Sequence, residues 1–317
     1  MRLVTFVGGH ERRLGAILGD QVVDVTLAYA ARLARQGRPR ASAMAEALVP
    51  PNLVVLLRGG EPSMEALREA VAFAEQGLKA GGVSGIHGER VSYRLADVKI
   101  KAPVQDPRKI ICVGLNYADH AAEAGREIPK TPMTFGKWSD AIIGPGDPIV
   151  IPKTSHMIDY EGELAFVMGR RAKYVKEEEA FDYVAGYTIF HDVSAREFQR
   201  ADPQTMRGKA LEGFAPMGPA LVLKDEVPDP QGLDIETRLN GQVMQKSNTR
   251  HFIFTIPFLI AFITRSLTLE AGDVVATGTP AGVGFARTPP VWLKPGDTVK
   301  ITIDRLGSLD NPVVAEA

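Results

Sequence analysis

Two acids stand two positions apart, Glu161 and Glu163, at the head of the apolar run Leu164-Ala165-Phe166-Val167-Met168. Alternate residues of a strand face the same side at about 3.3 Å per residue, so the two carboxylates lie roughly 6.6 Å apart and parallel, able to converge on one hard cation. A second apolar run, Val184-Ala185-Gly186-Tyr187-Thr188-Ile189-Phe190, leads into His191-Asp192-Val193 and brings a third acid to a strand end. Acids are depleted in strands. Taken singly, each is a solvated charge on a sheet edge. Taken together, they form a candidate site for Mg²⁺ or Mn²⁺, with Ca²⁺ as a further candidate, because an all-oxygen donor set suits hard ions better than zinc.

A candidate base follows the apolar strand Ile110 to Val113, in Gly114-Leu115-Asn116-Tyr117-Ala118-Asp119-His120-Ala121-Ala122-Glu123. On a short helix capped by Asn116 or Asp119, His120 and Glu123 are i,i+3 neighbours. The carboxylate then holds the imidazole and leaves its other nitrogen to take a proton from water. The alternative is an exposed helix start with an incidental pair. The next segment, Ala124 to Pro132, is charged and bears Gly and Pro, as a lid does. Arg196 and Lys209 either grip a substrate carboxylate or enolate oxygen, or balance the acids as ion pairs. The loop Thr277-Gly278-Thr279-Pro280-Ala281-Gly282-Val283-Gly284 lacks the glycine spacing of a dinucleotide or phosphate loop. It reads either as a turn whose N–H groups and Thr279 hydroxyl face the site, or as a purely structural turn. Cys112, the single cysteine, sits in an apolar strand and reads as packing, not as a nucleophile.

The elements that must position these groups divide the chain in two. The first part opens as a β-meander, Arg2 to Val7, Arg13 to Leu18 and Gln21 to Val25, turned at Gly8-Gly9 and Gly19-Asp20. Two helices follow, Tyr29 to Leu48, closed by Pro50-Pro51, and one from Pro62-Ser63 to Leu78. A boundary near residue 103 separates an N-terminal segment 1–103 from a segment 104–317 of short apolar runs punctuated by Gly and Pro, a sheet-rich region with long functional loops. The fold class is α+β and β-rich, with a small α/β N-terminal domain. Leu269-Glu270-Ala271-Gly272-Asp273-Val274-Val275 is echoed by Leu293-Lys294-Pro295-Gly296-Asp297-Thr298-Val299, each a tight turn into a strand. Lys+Arg 37 against Asp+Glu 38 leaves a net charge of -1 without a basic run, which argues against nucleic acid. The most apolar segment, Phe252 to Ile263, is too short to cross a bilayer, contains Pro257 and reads as a core helix. The N-terminus lacks a signal-peptide pattern, and one thiol allows no internal disulfide, so the expected compartment is the cytoplasm.

From about Val104 to Val314 these segments together resemble the fumarylacetoacetate hydrolase superfamily, in the order Gly114-x-Asn116-Tyr117-x-x-His120-x-x-Glu123, Glu161-x-Glu163, Asp192 with Ser194-Ala195-Arg196-Glu197, Gly208-Lys209, Ala215-Pro216-Met217-Gly218-Pro219, and Thr277 to Gly284. The N-terminal hundred residues are similar, more weakly, to the accessory domain of longer, bacterial-type members. The resemblance implies a β-roll catalytic domain, a divalent metal on Glu161, Glu163 and Asp192, and His120, Glu123 and Lys209 in catalysis. It further implies substrate contacts from Arg196, Gln199, Lys137, Tyr117 and Thr279, and a homodimer. Departures at Ala210-Leu211-Glu212 and at Phe135-Gly136-Lys137-Trp138 bear on the pocket wall. The implied reaction on a small keto acid is hydrolytic C–C cleavage of a 2,4-diketo acid of the acylpyruvate or fumarylpyruvate type, the metal stabilising a pyruvate enolate. The same enolate serves a decarboxylase or a keto–enol isomerase on an oxaloacetate-like or 2-hydroxy-dienedioate substrate of aromatic catabolism.

Overall fold

The computed structural model describes residues 1–9, 11–201 and 204–317. A twelve-stranded sheet runs through both parts of the chain, beside a five-stranded sheet built from the last third and the strand Ile149–Ile151. The N-terminal meander forms as expected: Arg2–Gly8 pairs antiparallel with Glu11–Leu18, and this in turn with Gln21–Asp24. On its other edge Arg2–Gly8 pairs with Ala215–Leu223, with Leu3 opposite Leu221. The strand Lys99–Lys101, just before residue 103, returns to the same N-terminal strand. The division near residue 103 is therefore one of the chain, and hydrogen-bonded strands cross it.

One helical expectation is corrected and the other holds. The run from Tyr29 to Leu48 is not continuous: it forms helices Val25–Arg35 and Ala41–Leu48, broken where Gly37 takes φ +71° and Arg40 φ +55°. Pro39 cannot continue a helix, and left-handed backbone at two positions ends it. A short helix, Leu53–Arg58, precedes the long one, Gly60–Lys79. Asn52 caps it by accepting from Val55 N, a signal overshadowed by Pro50-Pro51. The apolar segment forms the helix Ile256–Ser266, with Thr255 accepting from Phe258 N and Pro257 in its first turn. Among the described residues no helix is long and apolar enough to cross a membrane.

The central strands Gly162–Met168 and Val184–His191 are buried on both faces. Their alternation sorts side chains between two cores. Ala165, Val167 and Phe190 join Leu3, Leu56 and Leu67 under the N-terminal helices. Leu164, Phe166, Met168 and Ile189 join Ile235, Ile260 and Ile301 on the side of the five-stranded sheet. The echoed turns are alike in hydrogen bonding: Asp273 N donates to Glu270 O while Asp273 Oδ2 accepts from Glu270 N, and Asp297 repeats this with Lys294. Gly272 and Gly296 adopt φ +89° and +94°, which turns the chain into the strands Val274–Ala276 and Thr298–Ile303.

Register places the chemistry at one end of the large sheet. Gly162 lies opposite His191 and Glu163 opposite Phe190, so Glu161 comes opposite Asp192, whose N donates to Glu161 O at 2.9 Å. By strand alternation Glu161, Glu163 and Asp192 share a face. Val274–Ala276 runs parallel to Ile110–Gly114, so the glycine-rich loop and the helix Ala118–Glu123 both leave the sheet at that end.

Candidate metal centre

Glu161, Glu163 and Asp192 each offer an oxygen within 4.8 Å of the others, and all three are buried. They lie at the inner end of a cavity of about 570 Å³, which His120, Arg196, Gln199, Lys209 and Thr279 also line. Lys209 Nζ reaches Glu161 Oε2 at 2.6 Å and Asp192 Oδ2 at 2.8 Å. It is placed there by the turn Thr205–Gly208, where a Cβ on Gly208 would come within 2.6 Å of Ala195 O, so only glycine lets this turn close against Ala195 and Gln199.

Burial alone raises a carboxyl, yet the Lys209 and Arg196 charges hold Glu161 well below the usual range. Glu163 has the opposite fate: burial, then the charges of Asp192 and Glu161, push its carboxyl well up. Among the described residues its one hydrogen bond is from Gly278 N, 2.8 Å from Oε2. Asp192 Oδ1 is buried and faces Lys137 Nζ at 2.6 Å. A carboxyl driven up by burial and by neighbouring acids, beside two further carboxylate oxygens, is a place where a divalent cation would offset the crowded negative charge. The donor set fits Mg²⁺ or Mn²⁺.

His120 is almost fully buried. Its Nδ1 is 3.5 Å from Glu123 Oε2, which leaves Nε2 as the second ring nitrogen. Glu123 is itself fixed, accepting from Gly282 N at 2.9 and 3.0 Å. Of the two readings of the glycine-rich loop, the turn whose N–H groups face the site is the one observed. Its N–H groups hold the acids of the site: Gly278 N on Glu163, Gly282 N on Glu123, and Gly284 N on Asp159 at 2.7 Å. The Thr279 hydroxyl donates to Gly162 O and accepts from Gln245 Nε2, so its one proton is unavailable to a substrate.

Arg196 is also engaged: Nε donates to Asp159 Oδ2 at 2.8 Å, Nη2 to Glu161 Oε1 at 2.5 Å and Nη1 to Gln199 Oε1 at 2.9 Å. It orients the acids and Gln199, which lines the cavity. Two expected substrate contacts are corrected. Lys137 is sealed behind Asp192, donating to Val193 O and Phe214 O, because the strand Met133–Lys137 turns it into the protein. Tyr117 is fully buried, edge-on to Phe252 at 5.0 Å, and does not line the cavity. Cys112 is buried, and burial pushes its thiol well above the ordinary range. Sequence reasoning missed Asp159, which binds Arg196 and the loop, although it lies one strand period before Glu161. It also missed Phe285, whose ring Arg196 covers at 4.6 Å. No local pattern marks that aromatic residue.

The sequence pattern of the fumarylacetoacetate (FAA) hydrolase C-terminal family matches residues 109–314. A mitochondrial oxaloacetate tautomerase of Xenopus laevis is 44% identical over 264 residues, covering 82% of each chain. The solved structure of maleylpyruvate hydrolase from Sphingobium sp. SYK-6, in complex with manganese(II) ion and pyruvate, has a TM-score of 0.74 at 32% identity over 100% of both chains. That of 5-carboxymethyl-2-hydroxymuconate delta-isomerase from Mycobacterium smegmatis has a TM-score of 0.71 at 33% identity, again over 100% of both.

Proposed function

We propose, since this chain belongs to the fumarylacetoacetate hydrolase family, that it is a divalent-cation-dependent enzyme interconverting the keto and enol forms of an oxaloacetate-like 2-oxo acid. The observation that carries this reading is the meeting of Glu161, Glu163 and Asp192 with one histidine base in a single cavity. The tautomerase relative supports placing enolisation ahead of cleavage.

In this reading the three carboxylates hold Mg²⁺ or Mn²⁺, which when bound stabilises the negative charge that enolisation places on the 2-oxo oxygen. Glu123 accepts from Nδ1–H of His120 and so fixes the tautomer with a basic Nε2. His120 takes the proton from C3, the 2-oxo oxygen takes one up from solvent to give the enol, and the reverse transfers restore the keto form. Arg196 and Lys209 keep Glu161 ionised, and the Gln199 amide donates to the bound acid. A second reading, hydrolytic C–C cleavage of an acylpyruvate, draws on the maleylpyruvate hydrolase likeness and uses the same His120 nitrogen on a water molecule. A homodimer and a cytoplasmic location complete the proposal. Ile128, Met133 and Trp138 are exposed around the strand Met133–Lys137, which ends the large sheet and suits a second copy.

The test is to follow the enol absorbance of oxaloacetate, and acylpyruvate cleavage, with Mg²⁺ and after chelation. Enolisation should depend on the cation and fall roughly 10²- to 10⁴-fold in His120→Ala. Faster cleavage than enolisation in the native protein would put the second reading first, and full activity after exhaustive chelation would overturn both.

A further inference from the structure

The cavity has a second cationic end. Its inner cations, Arg196 and Lys209, are held by Asp159, Glu161 and Asp192. Arg200 and Arg126 line the same cavity, and among the described residues neither has a carboxylate partner. Arg200 lies four residues after Arg196 on the helix Arg196–Ala201, hence one turn, about 5–6 Å, further along the same face. Both guanidinium groups sit against the Phe285 ring, at 4.6 and 5.8 Å, and the His120 ring meets it edge-on at 6.3 Å. One aromatic residue thus groups the candidate base, the inner arginine and the outer arginine on one wall. Arg126 lines the same cavity, just past the helix that carries His120, where its N donates to Ala121 O.

We propose that Arg200, with Arg126, receives a second carboxylate of the substrate, so that this enzyme selects 2-oxo dicarboxylic acids over 2-oxo monoacids. The inference rests on the reading above, with the 2-oxo acid end at the three carboxylates. A diacid anchored there points its far carboxylate along the cavity, toward Arg200 and Arg126, which pair with no carboxylate among the described residues. Guanidinium groups bind carboxylates in paired, charge-assisted hydrogen bonds, which a methyl group in the same place cannot accept.

The experiment compares oxaloacetate with 2-oxobutanoate, which has the same four-carbon chain but no far carboxylate. Binding to the Mg²⁺-loaded full-length protein is measured by isothermal titration, alongside enol absorbance for oxaloacetate and C3 hydrogen–deuterium exchange for 2-oxobutanoate. In Arg200→Gln the preference for the diacid should fall about tenfold or more, and further with Arg126→Gln added. Arg200→Lys should retain part of it. An unchanged preference, with both acids weakened equally or neither affected, overturns the inference. If the native protein binds the diacid preferentially through these arginines but enolises neither acid, the assignment of the arginines stands and the enolisation reading falls. If it binds neither acid, both fall.

Discussion

Lys209 fills the space between Glu161 and Asp192 that a divalent cation would otherwise neutralise, and it is buried there. Removing it strips one buried cation from each carboxylate, leaving Glu161 to Arg196 and Asp192 to Lys137. Lys209→Met should therefore destabilise the chelated protein by about 3–5 kcal/mol. Mg²⁺ should recover more stability in the variant than in the native protein. Denaturation with chelator and with Mg²⁺ measures both, and equal stabilisation of the two proteins would show that Lys209 and the cation do not compete. His191 gives a pH signature. Buried opposite Gly162, with Nε2 lacking a hydrogen-bond partner among the described residues, its imidazole is driven down from 6.5 to about 3, first by burial and then by the Lys137 charge. The folded state keeps it neutral while the unfolded chain takes up a proton below pH 6.5. Its contribution is complete above pH 6.5 and is lost as pH falls toward 3, at about 1.4 kcal/mol per pH unit. In chelator, the unfolding free energy of His191→Asn should fall less steeply between pH 6 and 4.5. Parallel slopes would contradict this.

At the scale of elements, the glycine-rich loop is a clamp whose N–H groups reach acids from three separate segments, Glu163, Glu123 and Asp159. Close packing is the condition for this. A Cβ on Gly282 would meet Met244 O at 2.1 Å, with φ at +102°, and one on Gly284 would meet Val291 O at 2.0 Å. Backbone cannot yield as a flexible side chain does. Gly282→Ala should thus release Glu123 and lower activity at least tenfold while metal affinity changes little, whereas Gly284→Ala should weaken the Asp159–Arg196 pairing. Titration calorimetry with Mg²⁺ and the enol assay on each variant separate the two effects. Loss of metal binding in Gly282→Ala would mean that the loop acts as one unit.

At the scale of the whole molecule, the N-terminal part completes the large sheet. Leu3, Leu14, Leu56 and Leu67 share one core with Val167, Phe190, Leu221 and Val274. A chain beginning at Val104 would bare the edge of Ala215–Leu223 and that apolar face together, and unpaired apolar edges associate. Such a chain should aggregate at concentrations where the full protein is clear, as followed by light scattering. A soluble, folded species with native circular dichroism would show that the later part stands alone.

What the sequence by itself determined is what short-range periodicity encodes. The two-residue spacing of Glu161 and Glu163 put them on one strand face, three residues placed His120 beside Glu123, and the apolar runs foretold a buried Cys112 and the helix Ile256–Ser266. These follow from backbone geometry within one element. Tertiary structure alone decided which donor meets which acceptor across distant segments. It sealed Lys137 behind Asp192, turned the loop's N–H groups onto acids, occupied Arg196 with Asp159 and Glu161, and joined the first strand to Ala215–Leu223. Such pairings depend on strand register and on close approach between segments up to about 220 residues apart, and no local spacing records them.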